Sequence, residues 1–368
     1  MKLIVLKENL KEALNAVSRA TSDNTNLPIL KNVLIKTFNN KIIFSATNLE
    51  LAVTYSASGK IIEDGGVTIP FSVLSGIVND CDSERVNLDV ENNILSFKTD
   101  NYEAKIQGLN EEEFPIIPKI EKTDQYLNLD FNLFKEALLK IIGSIQISDI
   151  RPELGGIFLD FQLTQLKLAG TDSFRLSEKT ITDKNFKHTF SKGFKIIIPL
   201  KTIQELNRVG KEGNLNIYID SNQILFKNGD LEIISRLIDG QYPDYGQIIP
   251  KDFETDCVIN KDIFLNAVKL VSNFTGRAND IKIKVKEGKK VLEVYSTNQY
   301  FGENRYLVPA KIKGEEFETA FNWRYLLEGL KNFSSEEIIF RSNGNSRPTL
   351  IKSGNDDSYF YLLMPIKN

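Results

Sequence analysis

The stretch LNLDFNLFKEALLKII, residues 127–142, changes period in its middle. Leu127, Leu129 and Phe131 alternate with Asn128, Asp130 and Asn132, the pattern of a half-buried strand. From there Phe134, Ala137, Leu138 and Ile141 fall at i, i+3, i+4 and i+7, one face of a helix, with Lys135, Glu136 and Lys140 off that stripe. The same unit occurs twice more. Leu10, Ala13, Leu14 and Val17 take the helix positions after the apolar run at 3–6, and Phe264, Ala267, Val268 and Val271 take them after Val258 and Ile259. The shifts between copies are 124 and 130 residues. Copies about one small domain apart are the signature of an internal repeat.

Smaller features repeat at nearly the same shift. Thr47-Asn48, Thr171-Asp172 and Thr297-Asn298 each follow a strand pattern, and Phe114-Pro115 and Tyr242-Pro243 each close a segment. Pro70, Pro199 and Asn322 each precede a second helix, carrying Leu74, Ile77 and Val78, then Ile203 and Leu206, then Tyr325, Leu326 and Leu330. Alternating apolar runs fill the spaces between. Asn39-Asn40, Glu91-Asn92-Asn93, Asn228-Gly229 and Glu287-Gly288 read as hairpin turns. The expected fold is α+β, with three similar domains at 1-121, 122-251 and 252-368. Each is expected to lay two short helices on antiparallel sheets.

The chain has 368 residues, 41% hydrophobic and 26% charged, with a net charge of −3. That balance fits a globular protein and advertises no basic nucleic-acid footprint, although a local basic surface can hide in a balanced total. Cys81 and Cys257 are far apart, which argues against a disulfide framework or zinc site and for a reducing, cytoplasmic compartment. The apolar run at 3–6 is too short for a signal peptide, and no run approaches the length of a membrane span. Asn273-Phe-Thr and Asn332-Phe-Ser match the glycosylation pattern, which has no meaning without a secretory signal.

Chemistry-bearing motifs are sparse. His188 is the single histidine and reads as a surface residue. With it and two scattered cysteines, metal cages built on those ligands are nearly excluded. Phosphate-cradling glycine loops and nucleophile elbows are absent. Glu111-Glu112-Glu113 and Asp356-Asp357 sit in turn-like contexts and read as solvated charges. No catalytic residue, metal or cofactor is expected. The residues leave two rivals open, a repeated α+β hydrolase or transferase with a carboxylate pair and a monomeric protein-binding scaffold.

The least generic stretch is LAGTDSFRLS at 168–177. It resembles the T-D-G/S-x-R-L signature of the bacterial sliding clamp, the beta subunit of DNA polymerase III. NLPIL (26–30), LIDGQYPDY (237–245), FNWRY (321–325) and YLLMPI (361–366) resemble further elements of that family, in the same order. The resemblance runs the length of the chain. It implies a DNA clamp fold closing as a head-to-tail dimeric ring around double-stranded DNA. The implied partners are a second copy, the polymerase III catalytic subunit, the clamp loader, and other polymerases and repair proteins bound through short peptide motifs, with no membrane.

Carried over residue by residue, the resemblance implies a peptide cleft of Leu154, Thr171, Ser173, Phe174, Arg175, Leu176, Pro243, Gln247, Ile248, Asn322, Tyr325, Ser346, Pro348, Met364, Pro365 and Ile366. It implies DNA-facing positions at Lys11, Lys135, Lys140, Ser148, Arg151, Lys201, Arg208, Lys269 and Arg324. Lys7, Lys261 and Lys331 lie on the same helices. It implies a dimer contact of Ile106 opposite Leu270 and Val271. The chain departs from the family at Ser173 and Phe174, often Gly and His or Tyr, and at Gln247 and Asn24, often Arg. Pro152 and Glu153 replace aromatic residues of some members, and Lys367-Asn368 replaces an Arg-hydrophobic ending.

Overall fold

The computed structural model describes residues 1–22, 26–121, 123–286, 288 and 290–366. Asn24, Glu287, Lys367 and Asn368, singled out above, lie outside the described residues.

One order of elements runs three times. The first run is β1 (Lys2–Leu6), α1 (Lys7–Val17), β2 (Asn32–Phe38), β3 (Lys41–Thr47), β4 (Leu51–Ala57), β5 (Gly59–Glu63), β6 (Gly66–Pro70), α2 (Phe71–Asp80), β7 (Arg85–Glu91), β8 (Ile94–Lys98) and β9 (Glu103–Gln107). The second is β10 (Leu127–Asp130), α3 (Phe131–Ile142), β11 (Gly156–Gln162), β12 (Gln165–Thr171), β13 (Arg175–Thr182), β14 (Phe186–His188), β15 (Phe194–Pro199), α4 (Leu200–Val209), β16 (Asn214–Ile219), β17 (Gln223–Asn228) and β18 (Leu231–Arg236). The third is β19 (Thr255–Asn260), α5 (Lys261–Ser272), β20 (Asp280–Val285), β21 (Val291–Asn298), β22 (Gly302–Gly314), β23 (Phe317–Asn322), α6 (Trp323–Lys331), β24 (Glu337–Ser342), β25 (Thr349–Ser353) and β26 (Tyr359–Leu363). The third run has one strand fewer because β22 takes two places, pairing with β21 along its first part and β19 along its second.

The helices form where the periodicity puts them. All twelve residues of the three apolar stripes are at most 2% exposed. Polar side chains fix where α3, α5 and α6 begin. Asp130 accepts from the Leu133 amide, Asn260 from that of Ile263 and Asn322 from that of Arg324, each satisfying a donor the helix leaves unpaired. The first helices also start on one backbone bond in every run: the amides of Lys7, Phe131 and Lys261 donate to the carbonyls of Glu84, Gly213 and Glu336. At the predicted turns Asn39, Asn40, Asn92 and Asn93 all take positive φ, which asparagine tolerates better than most residues.

The chain divides into two compact units that do not follow the three runs. The first comprises Met1–Lys135, Lys184–Ser191 and Lys201–Ile238. It contains a five-stranded sheet, β5-β1-β7-β8-β9, and a nine-stranded sheet, β14-β10-β16-β17-β18-β4-β3-β2-β6. The second comprises Glu136–Asp183, Lys192–Leu200 and Asp239–Asn368, and its sheet has twelve strands, β15-β11-β12-β13-β26-β25-β24-β19-β22-β21-β20-β23. The middle run is therefore shared: β10, β14 and β16–β18 continue the sheet of the first run, and β11–β13 and β15 continue that of the third.

Each unit thus contains a seam between consecutive runs. In the first, β18 pairs antiparallel with β4, Leu231 opposite Tyr55 and Ser235 opposite Leu51. In the second, β26 pairs antiparallel with β13, Tyr359 opposite Lys179 and Leu363 opposite Arg175. Ladder hydrogen bonds across each seam satisfy edges that would otherwise be open.

Candidate functional site

The loop between β12 and β13 owes its composition to its own hydrogen bonds. Thr171 Oγ1 donates to the Arg175 carbonyl at 2.6 Å and accepts from the Ser173 amide at 3.1 Å. Asp172 Oδ1 accepts from the amides of Phe174 and Arg175 at 2.9 and 3.1 Å. The β3–β4 hairpin is closed the same way. There Thr47 Oγ1 donates to the Leu51 carbonyl, and Asn48 Oδ1 accepts from the amides of Glu50 and Leu51. At the β21–β22 turn Asn298 accepts from Tyr300 and Phe301. The Thr-Asx pair braces the turn in the first two copies, and Asn298 braces it in the third. Leu49 and Ser173 take the same left-handed backbone, φ 76° and 77°.

Only the middle copy adds charge to the brace. Asp172 Oδ2 accepts from Arg175 Nε at 2.9 Å, and the Arg175 guanidinium also bonds Glu328 of α6 and lies 4.2 Å from the Tyr325 ring centroid. Burial pushes the Arg175 pKa down, but Tyr361, Glu328 and Asp172 more than reverse this, so it stands above the usual arginine value. Tyr361 donates to the Tyr325 carbonyl at 2.9 Å, holding the start of α6 against β26. The exposed Phe174 ring stacks on Tyr325, 6.5 Å between centroids. The Met364 amide donates to the Phe174 carbonyl at 2.8 Å, which seats the C-terminal segment beside the loop.

Met364 opens onto a cleft of about 790 Å³. Four of the residues implied by resemblance line it, Gln247, Ile248, Pro348 and Met364. It is also lined by Asp244, Gly246, Ile249, Pro250, Lys251 and Arg347. Ile249-Pro250 directly follows Gln247-Ile248, a few residues beyond the LIDGQYPDY stretch, and could have been found from sequence; Arg347 carries no sequence signal. Behind the loop, Leu154 and Leu176 are core residues, as is Pro365 by its burial. Pro243 is half-buried and Ser346 exposed. Asn322 is engaged as the cap of α6. Ile366 turns elsewhere: its amide donates to the Ala320 carbonyl, and it lines a separate 160 Å³ pocket with Lys282, Glu318 and Asn345. Floor and walls suit a peptide, with apolar surface, an adaptable Met and a few polar groups.

The helix cations divide into exposed and engaged groups. Lys11, Lys201, Lys269, Arg324 and Lys331 are exposed. Lys135 and Lys140 are half-buried, over the rings of Phe131 and Tyr359. Burial, then the neighbouring Lys179, pushes the Lys140 pKa down. Arg208 is held by both Glu205 carboxylate oxygens, by Asn15 Oδ1 and by the Ala16 carbonyl, so it ties α4 to α1. Arg151 pairs with Glu153 and donates to Ser173 Oγ at 2.9 Å, and Ser148 Oγ accepts from the Ile150 amide. Lys7 and Lys261 are braces: they donate to the carbonyls of Cys81 at 2.5 Å and Phe333 at 3.1 Å. Phe131 occupies the equivalent place in the middle run.

Of the three dimer residues implied by resemblance, Leu270 is 48% exposed, whereas Ile106 and Val271 are buried within the chain's own core. The acidic runs have structural partners. Asn110 caps the turn at Glu111–Glu113, Glu111 pairs with Lys36, and Asp357 pairs with Lys352. His188 sits in β14 opposite Leu127. Among the described residues no cluster of three His, Cys, Asp or Glu side chains could hold a metal, and no helix is long and apolar enough to cross a membrane.

Three family models match the chain in order. The N-terminal domain of the DNA polymerase III beta subunit matches residues 1–118, the central domain 128–244 and the C-terminal domain 246–367. The beta sliding clamp of Synechococcus elongatus is 29% identical over 378 aligned positions, covering 100% of this chain and 99% of that protein. That of Staphylococcus aureus is 26% identical over 379 aligned positions with the same coverage. The DNA polymerase sliding clamp from Bacillus subtilis superposes with a TM-score of 0.95 at 26% identity, covering 100% of this chain and 99% of that one. The clamp from Bartonella birtlesii, solved bound to griselimycin, gives 0.91 at 26% identity with both chains fully covered. With its threefold run of elements and three domain models in sequence, the chain belongs to the family of DNA polymerase III beta subunits, the bacterial sliding clamps.

Proposed function

We propose that this chain is the ring subunit of a DNA polymerase processivity factor. Two copies close head to tail around duplex DNA, and partners are tethered through short peptides seated in the cleft beside Met364 and Gln247. The observation that carries this reading is the ordered match of all three clamp domains over nearly the whole chain. Such a subunit is a non-catalytic accessory of DNA polymerase III. Its functional domains are taken as 1-121, 122-251 and 252-368, and its place of work as the cytoplasm. Its partners are the polymerase catalytic subunit, the clamp loader, and other polymerases and repair proteins.

The exposed Lys11, Lys201, Lys269 and Arg324 are the cations best placed for DNA. Contacts of this kind go to phosphates, carry no sequence information and weaken with salt, which suits sliding. Lys135 and Lys140 contribute through partly buried stems, and Arg208 acts through the α1–α4 contact. For the cleft, Met364 supplies apolar surface, and the stacked Phe174 and Tyr325, next to it through the bond from the Met364 amide to the Phe174 carbonyl, offer more to a peptide. Arg175 holds the Thr171–Leu176 loop rather than offering its charge to a ligand, since Asp172 and Glu328 already engage it.

The test is topological. Protein loaded on a nicked circular plasmid should stay bound in salt that screens lysine–phosphate attraction and be released when the circle is cut. Equal retention on circular DNA and on linear DNA with free ends refutes encirclement.

A further inference from the structure

One wall of the Met364 cleft is held differently from the rest. Seven of the ten lining residues come from a single segment, Asp244 to Lys251, on the connection from β18 to β19. The other three, Arg347, Pro348 and Met364, adjoin β25 and β26. Among the described residues, the hydrogen bonds of 246–251 stay inside the segment. The Gln247 amide donates to the Asp244 carbonyl at 3.4 Å and the Gln247 side chain to the Asp244 carboxylate at 2.9 Å. A stretch with so few backbone bonds keeps its shape through whatever fixes its ends.

Both ends are fixed, and by side chains. Before the wall, the Tyr242 ring stacks on Phe158 of β11 with centroids 4.6 Å apart, and the Tyr245 ring meets both edge-on at 6.2 and 6.3 Å. The Tyr245 hydroxyl donates to Glu178 Oε2 at 2.6 Å. Glu178 projects from β13 and is 7% exposed, and its other oxygen lies 3.7 Å from Lys167 Nζ. A bond to a buried carboxylate is strong, and leaving that carboxylate short of a donor is costly. Burial, and then the Glu178 charge, pushes the Tyr245 pKa well above the usual phenol value, so the hydroxyl stays a donor. Beyond the wall, Asn343 is 5% exposed. Its Nδ2 donates to the Asp252 carbonyl at 2.9 Å, and its Oδ1 accepts from the Glu254 amide at 2.8 Å. Arg341 covers the Phe253 ring between them, 4.4 Å from its centroid.

We propose that Tyr245, Glu178 and Asn343 are positioning residues of the peptide cleft, pinning the two ends of the wall so that 246–251 is already in place when a peptide arrives. This rests on the peptide-cleft reading and deepens it. None of the three lines the cleft, so each acts through the wall. A wall released at one end has to be ordered again on binding, and that entropy is subtracted from affinity.

The test is a double-mutant cycle on the full chain. A peptide with Leu and Phe anchors would be titrated by calorimetry, with dimer mass and urea midpoint measured in parallel. Tyr245→Phe keeps the ring contacts and removes the hydroxyl; Glu178→Ala removes its acceptor. Each should weaken peptide binding about tenfold, and the double variant no more than either alone, because all three lack the same bond. Glu178→Gln should bind within about threefold of the wild type, since its amide oxygen still accepts from the hydroxyl. Asn343→Ala should weaken binding about tenfold from the other end. A role in stability alone would lower the urea midpoint and leave the affinity of the folded dimer unchanged. That result, or a double variant whose loss is the product of the two single losses, overturns the proposal. A wild-type chain that does not bind the peptide at tens of micromolar overturns the cleft reading itself, a separable outcome.

Discussion

Asp172 offers a quantitative test because the fold contains its own control. Asp172 and Asn48 make the same pair of hydrogen bonds to backbone amides in equivalent turns, and only Asp172 also pairs with an arginine. Its side chain is 1% exposed and that of Arg175 10%. Asp172→Asn keeps the brace and removes the charge. Breaking a buried pair costs about 3–5 kcal/mol, and a hydrogen bond to a charged group is worth about 1.5–3 kcal/mol. Because the half-exposed Glu328 still faces Arg175, the expected cost lies low in that span, about 2–3 kcal/mol. Asp172→Ala also strands the amides of Phe174 and Arg175, at about 1 kcal/mol each, for a total of about 4–5 kcal/mol. Asn48→Ala strands two amides in a more open turn and loses no charge, so it should cost about 1–2 kcal/mol. The assay is urea unfolding followed by far-ultraviolet circular dichroism, which reads both units, alongside fluorescence of Trp323, the single tryptophan, which lies with Asp172 in the second unit. With a slope of about 2–3 kcal/mol per molar urea, Asp172→Asn should lower the midpoint by about 1 M. A midpoint within about 0.2 M of the wild type, or an Asp172→Ala no worse than Asn48→Ala, would refute the argument that charge is what distinguishes this turn.

Three further outcomes follow from placement. Met364→Ala should weaken binding of a peptide with Leu and Phe anchors about tenfold, or 1.4 kcal/mol, measured by calorimetry with the dimer mass unchanged; full affinity would move the site away from the Met364 cleft. Val271→Ala opens a core cavity and should cost about 1–3 kcal/mol in denaturant titration, whereas the exposed Leu270→Ala should cost less than about 0.5 kcal/mol and act on dimer affinity instead; equal stability losses would contradict their burial. Burial, with Asp256 adding to it, pushes the Cys257 thiol up to about 12. The folded state then holds a proton that the unfolded state releases near pH 9. Stability should fall as pH rises from about 9 towards 12, less steeply in Cys257→Ala, and at pH 8 a thiol reagent should label Cys81 alone until the chain is unfolded.

What the sequence determined by itself is whatever short-range chemistry encodes. The stripes beginning at Leu10, Phe134 and Phe264 are buried as periodicity requires, because side chains three and four apart share a helix face whatever surrounds them. Asn39-Asn40 and Asn92-Asn93 form turns because asparagine tolerates the left-handed backbone. The Thr-Asx pairs brace their loops because their bonds reach only two to four residues along the chain. Tertiary structure decided what depends on residues far apart. Lys7, Lys261 and Arg208 look in sequence like cations on a polar helix face. Yet Lys7 bonds a carbonyl 74 residues away, Lys261 one 72 residues away and Arg208 one 192 residues away. Lys251 and Arg347 reach the cleft from separate parts of the chain, and the middle run gives its strands to two different sheets. Strand pairing matches edges by backbone hydrogen bonds, which every residue except proline offers alike. Local pattern can therefore say that a strand exists and which of its faces is buried, but the neighbour it pairs with is chosen only when the whole chain is packed.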